Sequence, residues 1–272
     1  MPVRLPNDGV LNRRGANSKK STRYLRNMET KRVEIIGVPI SAVNMEQTLN
    51  LLSEQLEQAK RSYVCVSNVH TTVMASEDPA YLKVQTESFL TLPDGKPLSV
   101  IGRRQGYPAM EQVRGVELME RLFADEQYAG LRHYFYGNKK ENLETLIGVL
   151  KREHPLLSIA GWEPSVFHEL SDEECTELAG RVRASGADFL WVGLGAPRQE
   201  IFCARIKGMT GAVPIGVGGA FNVLAHIVPD APDWMRRCSL EWFYRFIKEP
   251  RRLFKRYFVT NTKFLWYFLA KK

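Results

Sequence analysis

Short apolar runs at residues 33–36, 63–66, 89–92, 133–136, 156–159, 189–192 and 213–217 alternate with amphipathic stretches at 44–60, 71–76, 117–123, 141–152, 172–184 and 198–207. No other feature limits the fold as tightly. A strand followed by a helix and then by another strand makes the two strands parallel, and both faces of the sheet then need helical cover. Asn44, with Gln47 three residues on, supplies a capping box for the first helix. The pattern predicts an α/β fold, a mostly parallel Rossmann-like sheet with helices on both faces. Ligands of such sheets sit outside the carboxyl ends of the strands, so the turns that follow the strands are the places to look for chemistry.

Charge divides the 272 residues into three parts. Residues 1–32 carry nine Lys/Arg against two acidic residues and residues 236–272 carry eleven against two; of the net +8, the ends hold +7 and +9 and residues 33–235 hold −8. Residues 1–32 lack apolar periodicity and read as a mobile basic arm, 33–235 as the α/β core, and 236–272 as a basic-aromatic helical appendage. No charged-then-apolar leader opens the sequence, so export is not expected. The longest uncharged stretch, 208–229, approaches the ~20 residues that span a bilayer, but its five glycines and two prolines suit a buried strand, a turn and a short helix. Cys65, Cys175, Cys203 and Cys238 form no CxxC pair and no Cys/His cluster of zinc spacing, so they read as reduced thiols of a cytoplasmic protein, with neither metal nor other cofactor expected.

Several strand-end turns carry candidate groups. After 63–66 stands Asn68, whose amide suits a sugar or a base but equally suits the cap of the next helix; His70 reads as structural. After 89–92 comes Pro93-Asp94-Gly95, ordinary turn chemistry that also places a carboxylate at the rim. An acceptor hydroxyl must lose its proton as it attacks an anomeric carbon, and such a carboxylate can serve as general base. After 189–192 comes Gly193-Leu194-Gly195-Ala196-Pro197-Arg198-Gln199-Glu200, either a tight turn or a cradle of backbone amides at a helix start. Tyr136-Gly137-Asn138-Lys139 is built alike, and the glycines at 216, 218 and 219 allow close approach by a ligand or by a neighbouring helix. In the appendage, Arg252, Lys255, Arg256 and Lys263 share one side of a helical wheel while Phe254, Tyr257, Phe258, Leu265 and Phe268 share another. Two readings stay open: a helix lying on anionic lipid, or one packed on the core by its aromatics.

Taken in order, Pro93-Asp94-Gly95, the run 193–200, Leu240-Glu241-Trp242-Phe243-Tyr244-Arg245, Glu249-Pro250-Arg251-Arg252 and Lys255-Arg256-Tyr257 resemble the WecG/TagA/CpsF glycosyltransferases, glycosyltransferase family 26, over about residues 33–257. The resemblance implies an inverting, metal-independent transfer from a UDP-sugar donor to a polyprenyl-diphosphate-linked saccharide acceptor in cell-surface polysaccharide biosynthesis. It implies Asp94 as the base, Asn68 and Gln199 around the sugar, and Arg245, Arg252 and Arg256 closing over the donor diphosphate. The amides around Gly137 and Gly195 are expected to hold polar donor groups. Relatives often carry Thr at the position of Val66, Arg at Gln112, Asp at Asn222 and Arg at Asp230. These departures leave the donor sugar open among N-acetylmannosamine, its uronic acid and glucose, and make Arg114 the candidate to replace the arginine absent at Gln112. The expected place of work is peripheral, on the anionic cytoplasmic face of a bacterial inner membrane, with a homo-oligomer left open.

Three rivals fit less of the sequence. A non-catalytic UDP-sugar-binding membrane scaffold would use the same residues without transfer. Nucleic-acid binding through the basic ends meets an acidic middle that repels phosphates, so no nucleic-acid partner is expected. An NAD-dependent enzyme would want GxGxxG after the first strand, which is absent.

Overall fold

A computed structural model describes residues 30–166, 168–232, 234–235, 241–248 and 250–270. The basic arm expected over 1–32 thus lies outside the described residues as far as residue 29.

Six strands form one parallel sheet: β3 (Val64–Ser67), β4 (Leu90–Pro93), β5 (Arg132–Gly137), β6 (Ser158–Glu163), β7 (Phe189–Gly193) and β8 (Val213–Gly216), in the order β4-β3-β8-β7-β5-β6. Each grows from an apolar run marked in the sequence. Strand β6 starts two residues later than expected, because Leu157 is still closing the preceding turn with a bond to His154 O at 3.0 Å. The run at 33–36 goes elsewhere. It becomes β1 (Arg32–Ile35), paired antiparallel with β2 (Val38–Ser41) in a separate hairpin. Ile36 and Gly37 both take positive φ, +49° and +87°, the signature of the tight turn whose twist matches a hairpin.

Helices cover both faces: α1 (Met45–Glu54), α2 (Leu56–Ala59), α3 (Val69–Glu77), α4 (Pro79–Glu87), α5 (Lys96–Arg104), α6 (Gly115–Ala124), α7 (Lys140–Glu153), α8 (Asp172–Ser185), α9 (Arg198–Ile206), α10 (Ala220–Leu224), α11 (Glu241–Lys248) and α12 (Pro250–Ala270). The Asn44–Gln47 capping box opens α1 as the sequence predicts. Along β7 the side chains alternate: Phe189 and Trp191 join one core layer, Leu190 and Val192 the other. A sheet apolar on both faces is what parallel pairing requires. In the first layer the indole N–H of Trp191 donates to His133 Nδ1 at 3.0 Å, and burial drives the imidazole pKa down to about 3. His133 is therefore a neutral structural group.

The second half of the appendage is docked on the core. Thr260 and Phe264 are buried, and Phe264 packs into the cluster formed by the hairpin, α3 and α5. Thr260 Oγ1 lies 3.3 Å from His70 Nδ1 in the first turn of α3, while Lys263 Nζ and Tyr267 Oη each reach Glu77, in the last turn, at 2.7 Å. The two helices thus run in the same direction. Residues 250–259 consequently project past the start of α3, by about 15 Å at the α-helical rise. Phe254, Phe258 and Trp266 on α12 are 60%, 66% and 65% exposed. One stripe of the helix packs on the core, and a second apolar stripe faces outward. Among the described residues, no helix is long and apolar enough to cross a membrane.

Candidate functional site

All carboxyl ends of the sheet open on one rim. Strands β3 and β4 pair with Ser67 opposite Pro93, so Asn68 and Asp94 leave adjacent strands side by side. The Asp94 turn is pinned by its backbone: Asp94 N and Gly95 N donate to Ser67 O at 2.8 and 3.3 Å. A Cβ on Gly95 would stand 3.2 Å from Asn68 Cα, so glycine lets this turn press against the start of α3. From the other side Gln112 Nε2 donates to Asp94 O at 2.5 Å. Asn68 does cap its helix, its Oδ1 accepting from His70 N at 3.0 Å and Thr71 N at 3.3 Å. Neither of these bonds uses its amide nitrogen.

Strands β5 and β7 meet where the connections diverge, since β5 leads outward to β6 and β7 leads inward to β8. Such a switch point opens a crevice. Gly137, at φ +120°, brings the two strand ends together; a Cβ there would lie 2.7 Å from Gly193 O. Asn138 N donates to Gly193 O at 3.1 Å, and Asn138 Nδ2 donates to Asn222 Oδ1 at 2.7 Å. A cavity of about 540 Å³ opens beside them, lined among others by Tyr136, Asn138, Lys139, Ser165, Arg198 and Phe202. Three strand spacings separate β4 from β7, about 14 Å at ~4.8 Å each, a span suited to an extended ligand rather than to a single sugar ring.

The loop after β7 turns on Gly195, at φ +79°, whose N–H donates to Gln199 Oε1 at 3.0 Å. Gln199 is buried between that loop and the end of β8. A Cβ on Gly216 or Gly218 would stand 2.9 Å from its side chain, so what these glycines admit is a residue of helix α9. Arg114, only 3% exposed, bridges Glu117 at 3.1 Å and Asp230 at 2.7 Å, and so ties the segment after β8 to α6. Arg245 lies on α11 and Arg252 and Arg256 on α12, their side chains outside the described ones.

One group was missed in the sequence. Glu200 is fully buried; its Oε1 accepts from Gln199 Nε2 at 2.8 Å, and burial pushes its pKa up to about 7. Its Oε2, the Tyr81 hydroxyl and Gln85 Nε2 are buried beside one another, and the hydroxyl interacts with both the Glu200 carboxyl and the Gln85 amide. Gln85 Oε1 in turn accepts from Ser67 Oγ at 2.6 Å. The available signal was spacing: Glu200 precedes Cys203 by three residues, on the apolar stripe of α9.

Known proteins resemble this chain over most of its length. The sequence is similar to the N-acetylglucosaminyldiphosphoundecaprenol N-acetyl-beta-D-mannosaminyltransferase of Bacillus spizizenii, 30% identical over 204 residues that cover 75% of this chain and 77% of that one. Proteins of the same name from Bacillus subtilis and Staphylococcus aureus MW2 are 27% and 24% identical, covering 83% and 82% of this chain and 86% and 87% of theirs. The profile described as the glycosyl transferase WecG/TagA/CpsF family matches residues 33–272, nearly the whole chain; this protein belongs to that family and is a glycosyltransferase.

Proposed function

We propose that this glycosyltransferase moves a sugar from a UDP donor to a polyprenyl-diphosphate-linked saccharide, inverting the anomeric carbon without a bound metal. N-acetylmannosamine is the donor to test first, since the similar transferases are named for it, ahead of its uronic acid and glucose. The observation that carries the proposal is the shared rim: Asp94 beside Asn68 at one end, and the Gly137 and Gly195 turns around a cavity at the other.

In this reading UDP occupies the β5/β7 crevice, with polar donor groups on the amides around Gly137 and Gly195 near the start of α9. Asn68 and Gln199 hold the sugar. Asp94 takes the proton of the acceptor hydroxyl, which attacks from the face opposite UDP. Arg245, Arg252 and Arg256 stabilise the leaving diphosphate, work that a cation does elsewhere. The projection of residues 250–259 past the start of α3, toward the rim, supports a lid of this kind. Arg114 reaches the donor by exchanging Asp230 or Glu117 for a phosphate. Asp230-Ala231-Pro232-Asp233 lacks DxD spacing, which is the sequence's support for metal independence.

Residues 236–272 are the membrane-associating part, resting on the cytoplasmic face through the exposed Phe254, Phe258 and Trp266 beside basic residues. The test is UDP release from UDP-sugars with a synthetic polyprenyl-diphosphate N-acetylglucosamine as acceptor. Acceptor-dependent release by the natural chain and its loss in Asp94→Asn are expected. Donor binding with no release for any donor would make the protein a scaffold instead.

A further inference from the structure

A carboxamide has a donor end and an acceptor end, and at Gln199 the surroundings decide which end points where. Its neighbours are the Gly195 N–H, 3.0 Å away, and Glu200 Oε1, 2.8 Å away. With Oε1 toward Gly195 and Nε2 toward Glu200, both contacts match. Turned over, donor would face donor and acceptor would face acceptor. One N–H and one oxygen lone pair of Gln199 are then left to a ligand, in fixed directions.

Glu200 is an expensive way to supply one acceptor. Among the described residues no cation offsets its burial: the titratable groups that face it are Cys65 from β3, Tyr81 from α4 and Cys203 on its own helix, and burial keeps all three uncharged. A glutamine would offer the same acceptor without desolvating a charge. The carboxyl also ends a string of buried polar groups that starts at Ser67, the residue before Asn68, and passes through Gln85 and Tyr81, whose hydroxyl lies within electrostatic reach of both Gln85 and Glu200. The Tyr81 hydroxyl, Gln85 Nε2 and Glu200 Oε2 are all buried members of that string, the hydroxyl interacting with both the Gln85 amide and the Glu200 carboxyl.

We infer that Glu200 is a positioning residue: from behind the rim, its carboxyl fixes the direction in which the Gln199 amide meets the donor sugar. This rests on the reading that Gln199 lies in the sugar pocket. Ionisation of Glu200 strengthens its hold on Gln199, because a charge-assisted hydrogen bond is roughly twice as strong as a neutral one. The donor KM of the natural protein therefore carries a pH inflection that belongs to Glu200.

The test uses the full chain and the variants E200Q, E200L, Q199A and E200L/Q199A, with kcat and donor KM measured from about pH 5 to about pH 9 and folding checked by thermal melting. E200L is expected to lower kcat/KM by about 10- to 100-fold, the size of a misplacement effect, and to add nothing further in the Q199A background. In E200Q the inflection in donor KM is expected to vanish. An E200L loss that multiplies with that of Q199A, or an inflection that survives in E200Q, overturns the role of Glu200; the E200Q profile alone decides if E200L does not fold. Wild-type kcat/KM in Q199A would instead remove Gln199 from the sugar pocket, and Glu200's role with it.

Discussion

The two ends of the rim are built by different means. At β3 and β4 the proposed groups are side chains, Asn68 and Asp94, held by turns without a residue of positive φ. At β5 and β7 the proposed groups are backbone amides near those already bonded to Gly193 O and Gln199 Oε1, and the turns need glycine: Gly137 and Gly195 both take positive φ. A proton has to be moved by a titratable side chain, whereas a diphosphate can be held by amides alone. The comparison teaches that the first end should be sensitive to the chemistry of one residue and the second to its shape.

The largest effect expected from this division is at Asp94. Replacement by Asn should lower kcat by about 10²–10⁴-fold, the usual worth of a general base, with UDP affinity and melting temperature unchanged. A loss of affinity equal to the loss of kcat would break the division. Next comes Glu200, whose folded pKa of about 7 lies above its ordinary value of 4.5. The folded state binds this proton more tightly than the unfolded chain does, so burial of Glu200 weakens stability as pH rises from the lower value to the higher. E200Q should therefore stabilise the protein by up to about 3 kcal/mol at about pH 8 and by under about 1 kcal/mol at about pH 5, measured by urea unfolding. Equal gains at both pH values would show that the carboxyl is not buried as described.

Shape at the second end is tested by two alanines. Gly137→Ala adds a collision with Gly193 O to the strain of positive φ and should cost about 1–3 kcal/mol. Gly195→Ala has open space around its Cβ and should cost only about 1 kcal/mol. Both should weaken UDP binding, read by calorimetry, more than they slow the chemistry of bound donor. The smallest effect belongs to the outward stripe of α12. Phe258→Ser should weaken binding to anionic vesicles by about tenfold and leave stability in solution unchanged.

Much of this was legible in the sequence because parallel strands are apolar on both faces and appear as uninterrupted runs. The hairpin was half legible. Strand β2 contains Pro39, and its turn uses Ile36-Gly37, where an Asn-Gly or Asp-Gly would have announced the positive φ. At the site, Asp94 and the Gly195 loop were visible as turn chemistry at strand ends. The glycines at 216 and 218 showed that something comes close, but not that it is Gln199. Pairings across the chain left no local trace: Arg114 with Asp230, Asn138 with Asn222, and Ser67 with Gln85 join residues whose meeting depends on strand order. Docking of α12 on α3 is of the same kind, because the helical wheel shows one aromatic side and the fold divides it, packing Phe268 on the core and leaving Phe258 and Leu265 exposed.

A crystal structure with a non-hydrolysable UDP-sugar tests the division of labour most directly. The nucleotide should fill the crevice between β5 and β7, its diphosphate near Gly195, with the sugar turned toward β3 so that the Asp94 carboxylate lies on the side of the anomeric carbon away from UDP. A nucleotide seated elsewhere, or an anomeric carbon out of reach of an acceptor held by Asp94, would contradict it.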